Sequence, residues 1–190
     1  DNKLTKIEIP KSLEECSYGY SQPTGIVGGA FQNCAGLKTV TFEKGTTEIA
    51  TGLFAGCTGI EQIKIPDTVT VIESGAFGGC VNLTAIEIPD SVTEIRRAAF
   101  GYCSSLKIVK LSENLGNIGA YAFQNCNVLK NIVIPDSVVS IDVEAFENCA
   151  ELSSVTLSKN LKKIGSRAFQ NDNKLTKIEI PKSLEECSYG

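Results

Sequence analysis

Apolar and polar positions along this chain recur every 23 residues. The phenylalanines mark the period without a slip: Phe31, Phe54, Phe77, Phe100, Phe123, Phe146 and Phe169. Three residues after each stands Cys34, Cys57, Cys80, Cys103, Cys126 and Cys149, then Asp172 in the last unit. Six residues after each stands Leu37, Ile60, Leu83, Leu106, Leu129, Leu152 and Leu175. Counted from each phenylalanine, apolar residues fall at +6, +9 and +11, as in Leu83, Ile86 and Ile88, and this predicts a short strand. Proline follows at +12 as Pro66, Pro89, Pro135 and Pro181, with Pro10 in a first partial unit. Proline removes a ladder donor, so it ends the strand and opens a turn. Val92 and Ile95, at +15 and +18, bring the chain back against the core. Ala99-Phe100 and its equivalents predict one tight helical turn, too short for a helix stable on its own. No unit can bury its apolar stripe alone, so the units stack as coils with one continuous core.

The period breaks once. Residues 1–16 form a partial repeat, with Leu4, Ile7, Ile9, Pro10, Leu13 and Cys16 in matching positions. An insertion at 17–29, rich in glycine and carrying Tyr18 and Tyr20, precedes the regular 23-residue units from 30 to 190. Insertions in solenoids are loops on one face, often the functional one. Residues 1–19 are identical to residues 172–190. Such identity points to tandem duplication of a whole cassette or to an engineered boundary, and a chain that begins within a repeat is expected to be a fragment of a longer repeat protein. Open apolar ends of unlike kind favour end-to-end self-association.

The run Leu83-x-x-Ile86-x-Ile88-Pro89-x-x-Val92-x-x-Ile95-x-x-x-Ala99-Phe100-x-x-Cys103 resembles the BspA-like leucine-rich repeat, and the likeness covers nearly the whole chain. Units with Glu43, Ser112 and Ser158 in place of proline depart from it. The resemblance implies an α/β repeat solenoid over residues 1–190. It would be a right-handed leucine-rich-repeat superhelix, with a parallel sheet on one face and short strands and single helical turns elsewhere. It also implies an extracellular or cell-surface protein linked to binding or adhesion. A passive spacer that holds other domains away from a surface is the alternative.

Composition narrows the chemistry. Net charge is −4 with both signs mixed, and no basic stripe points to nucleic acid. No apolar run approaches the roughly 20 residues of a membrane span. The chain has no histidine, which removes the commonest general base and the Ser-His and Cys-His nucleophiles. No phosphate-cradling glycine motif occurs. A non-catalytic protein without cofactor is expected. Six of the eight cysteines share one repeat position, so their Cβ vectors run parallel where a disulfide needs them to converge. They read as small buried residues whose weak S–H groups face loop carbonyls.

The expected partner is an extracellular protein or glycan. Candidate contacts are Tyr18 and Tyr20 in the insertion and the outward strand positions. Lys64, Glu87 and Lys110 are neighbours of alternating sign at +10. Ile108 at +8 lies diagonally near Val133 at +10, making a small apolar spot. At +13, Asp67, Asp90, Glu113 and Asp136 follow one another. Carboxylates about 5 Å apart repel, and Ca²⁺ would relieve them. The preferred account is turn chemistry, in which aspartate caps its own backbone.

Overall fold

The computed structural model describes residues 3–11 and 29–187, and everything below concerns those residues. In chain order the strands are β1 (Lys6–Ile9), β2 (Thr39–Phe42), β3 (Glu48–Ile49), β4 (Val71–Ile72), β5 (Ala85–Glu87), β6 (Glu94–Ile95) and β7 (Ile108–Lys110). They continue with β8 (Asn117–Ile118), β9 (Asn131–Val133), β10 (Ser140–Ile141), β11 (Ser154–Thr156), β12 (Lys163–Ile164) and β13 (Glu186–Cys187). All pairings are parallel and join residues one unit apart, as in Ile95↔Ile118, so the chain is a parallel β-solenoid. Across the insertion, Lys6 pairs with Thr39, so the stack resumes in register despite the extra residues.

Two ladders run along the solenoid, and they differ. The short strands at +17 and +18 form one unbroken seven-stranded sheet in the order β13-β12-β10-β8-β6-β4-β3. The strands near +9 pair only in twos: β1 with β2, β5 with β7, and β9 with β11. Residues 62–66, equivalent by period, form no strand. Proline accounts for the interruptions. A strand pairs with the next coil where that coil carries Glu43, Ser112 or Ser158 at +12, and not where it carries Pro66, Pro89, Pro135 or Pro181. Proline has no N–H to give to the coil below.

The other coils do reach down. Glu43 N–H donates to the Ile9 carbonyl at 2.8 Å. Ser112 Oγ donates to the Val92 carbonyl (2.6 Å) and Glu113 N–H donates to Asp90 Oδ1 (2.9 Å). Asn114 Nδ2 donates to the Asp90 carbonyl at 2.9 Å. The stitch repeats 46 residues on, where Lys159 N–H reaches Asp136 Oδ1 and Asn160 Nδ2 reaches the Asp136 carbonyl. Asp90 and Asp136 therefore cap the next coil, not their own backbone.

The expected helical turns are absent: no helix occurs among the described residues, and the α/β class gives way to an all-strand-and-turn coil. The reason lies in the backbone. Residues two before and two after each repeat phenylalanine from Phe54 to Phe169 have positive φ, for example Gly75 (64°) and Gly79 (73°) around Phe77, and Ala98 (52°) and Tyr102 (62°) around Phe100. Left-handed residues every fourth position interrupt any right-handed run. The hydrogen bonds alternate accordingly. Phe100 N–H donates across to the Ala122 carbonyl (2.9 Å), whereas Gly101 N–H closes a turn on the Ala98 carbonyl (3.0 Å).

That turn layer carries the core inward. The phenylalanine rings stack face to face, Phe77 to Phe100 at 5.3 Å and Phe100 to Phe123 at 5.4 Å, with interplanar angles of 9° and 6°. Beside them runs the thiol row. Each Sγ from Cys57 to Cys149 donates to the phenylalanine carbonyl of the coil below, as Cys103 does to Phe77 at 3.2 Å. Burial pushes the Cys57 thiol up to about 11 and the Cys103 thiol up to about 12. The seven described cysteines are free thiols, six of them buried and Cys187 exposed. Asp172 takes the thiol's place in the last unit, buried, with Oδ1 accepting from Cys149 N–H at 2.7 Å and Oδ2 without a partner.

Candidate binding face

Alternation along the strands near +9 turns +8 and +10 outward, so those side chains make a continuous surface. Register places Ala85 beside Ile108 and Glu87 beside Lys110 in one pair, and Asn131 beside Ser154 and Val133 beside Thr156 in the next. Lys110 Nζ meets Glu87 Oε1 at 2.6 Å, and this contact raises the Lys110 pKa. Lys64 does not join them, because its coil is not paired with β5. The expected alternating row is thus one ion pair and a neighbouring lysine. Both partners of that pair are largely exposed, so it contributes little to stability.

Ile108 and Val133 are exposed by 65% and 63% and stand on either side of the unpaired junction between β7 and β9. A cleft of about 340 Å³ opens there, lined also by Val109, Leu111 and Pro135. A larger cleft of about 750 Å³ opens at another interruption, over the unpaired coil of residues 62–66. Val40, Phe42, Ile63 and Ile65 line it, with Lys64 and Glu87 at its rim. The sequence period assigns Val40, Phe42 and Ile63 to the core, yet each is only partly buried. The signal that could have marked them was Pro66 followed one unit later by Pro89, two coils in succession without a ladder donor.

Tyr18 and Tyr20 lie outside the described residues. The +13 carboxylates are engaged in part as acceptors: Asp90 by Glu113 N–H, and Asp136 by Lys159, whose backbone N–H holds the Asp136 carboxyl below its usual range. Among the described residues no group of three or more His, Cys, Asp or Glu side chains is placed to hold a metal ion. On the turn layer, Gln124 Nε2 donates to Glu144 (3.1 Å) and to Glu147 (2.5 Å). Burial, followed by the Glu147 charge, raises the Glu144 pKa. Arg97 lies 4.2 Å above the Tyr121 ring.

The family model for the BspA type leucine-rich repeat region matches residues 24–151 and 116–190, and the chain belongs to that family. Solved structures agree. A leucine-rich repeat protein from Bacteroides ovatus superposes with a TM-score of 0.83 at 29% identity, over 98% of this chain and 45% of that one. The T. pallidum leucine-rich repeat protein gives 0.73 at 28% identity, over 90% of this chain and 83% of that one. A leucine-rich repeat protein from Eubacterium ventriosum gives 0.59 at 26% identity, over 96% of this chain and 56% of that one. The chain thus spans less than half the length of the B. ovatus protein. No curated protein matches the chain. No helix among the described residues is long and apolar enough to cross a membrane.

Proposed function

We propose that this chain is a non-catalytic binding scaffold of the cell surface or extracellular space, and that the outward face of the strands near +9 is its contact surface. The observation that carries the reading is the face itself. It joins two clefts and two highly exposed aliphatic side chains on a rigid stack of coils. Exposed apolar side chains gathered beside a cleft and rimmed by polar residues are a mark of interaction sites. The extracellular assignment rests on the family resemblance. The chain without histidine supports the absence of acid–base catalysis.

Surface plasmon resonance tests it, with the purified chain immobilised and a panel of purified extracellular matrix proteins and glycans passed over it. Saturable binding at micromolar concentration or below is expected for at least one panel member. Absence of binding across the panel supports a spacer that only separates other domains.

A further inference from the structure

Both clefts sit at interruptions of the same strand ladder, on the same edge of the same face. The larger is centred on residues 62–66 and the smaller between Val109 and Ile132. Two and a half coil steps separate them, about 12 Å at the ordinary strand spacing. The Glu87–Lys110 pair lies between them and leaves a flat polar bridge. An extended polypeptide advances about 13 Å from residue i to residue i+4, with both side chains on one side. Spacings of i+2 and i+6 give about 7 and about 20 Å, and neither fits.

We propose that the two clefts bind one extended polypeptide segment running along the solenoid axis, seating two apolar side chains four residues apart, with polar residues over Glu87–Lys110. This rests on the binding-scaffold reading and adds to it the site and the class of partner. Two features favour a polypeptide. The tips at the smaller cleft are the aliphatic Ile108 and Val133, which match aliphatic side chains, while Lys107 and Asn131 beside them can meet a peptide's carbonyl groups. The larger cleft is roomy enough for an aromatic ring beside Phe42, and the smaller for a leucine or valine.

The test uses short capped peptides in which a tyrosine and a leucine are separated by one, three or five threonines, in both orders. Binding is read by fluorescence anisotropy and by methyl NMR of the Ile and Val side chains. Peptides with three intervening residues should bind at least about tenfold more tightly than the others, with shifts centred on the Ile63, Ile108 and Val133 methyls. The double variant Ile108→Asp, Val133→Asp should lose that preference at least about tenfold while its unfolding midpoint stays unchanged, because both side chains face solvent. Equal binding at all spacings, an unaffected double variant, or a glycan that alone shifts these methyls overturns the proposal. If a matrix protein binds the chain and the double variant binds it equally well, the site fails while the scaffold reading stands. If no panel member and no peptide binds, both fail.

Discussion

Replacing Asp172 by cysteine completes the thiol row, and the structure sets both the sign and the size of the effect. Asp172 is 7% exposed, and its Oδ2 is buried without a partner. Burial, opposed by the Cys149 amide and reinforced by the Glu147 charge, pushes its carboxyl from an ordinary 3.8 up to about 7. A carboxyl raised on folding holds its proton more tightly in the native state. Its contribution to stability is therefore fully present below about pH 4 and is lost as pH rises through about 7. The gap between 3.8 and about 7 corresponds to about 4 kcal/mol when the group is fully ionised. Relaxation around the site reduces this, and the expected penalty near pH 8 is about 2–3 kcal/mol. In Asp172→Cys the new thiol faces the Phe146 carbonyl, as Cys149 faces that of Phe123 at 3.3 Å. Cys149 N–H keeps its turn bond to the Phe146 carbonyl. Urea unfolding followed by circular dichroism should show the variant more stable by about 2–3 kcal/mol near pH 8, with the difference shrinking toward pH 5. A difference independent of pH, or a wild type more stable at pH 8, refutes the assignment of a strained carboxyl to this position.

Further outcomes follow from the same geometry. Phe100→Ala removes a fully buried ring stacked on both neighbours and should cost about 3–5 kcal/mol in denaturant unfolding. Gly165→Ala places a Cβ 2.4 Å from Val143 N, so a backbone must move, and a loss of about 2 kcal/mol or more is expected. Gly79→Ala, at φ 73° but with no contact closer than 3.6 Å, should cost only about 1 kcal/mol by the same assay. In the native protein Cys187 alone among the described cysteines should react readily with a thiol reagent, and all seven should react after denaturation without reductant. A linked pair found by mass spectrometry would contradict the thiol row.

What was legible in the sequence was whatever depends on a residue every 23 positions. Phe77, Phe100 and Phe123 stack because their period is unbroken, and Cys103 faces a carbonyl because its position recurs in the same layer. The turn layer is not legible in this way. An Ala-Phe pair followed by a small residue fits a helical turn equally well, and Ala98, Tyr121, Glu144 and Arg167 give no sign of positive φ. Gly52 and Gly75, at the same repeat position, did carry that sign. The pairing of strands in twos is hidden in the sequence for another reason. A proline after a strand signals the end of that strand, whereas here it marks the coil whose strand fails to pair with the coil below. On the candidate face, Ile108 and Val133 could be placed by alternation alone. Phe42 and Ile63 could not, since their partial exposure comes from a ladder that fails between coils.

The central claim is that the outward face of the strands near +9 meets a macromolecular partner. Hydrogen–deuterium exchange of the chain, alone and saturated with a panel member that binds it, tests this most directly. The account predicts slowed exchange in residues 39–43, 62–67, 85–90, 108–113 and 131–136, with the turn layer around Phe100 and Phe123 unchanged. Protection confined to that turn layer or to the ladder of β6, β8 and β10, with the face near +9 unaffected, would contradict it.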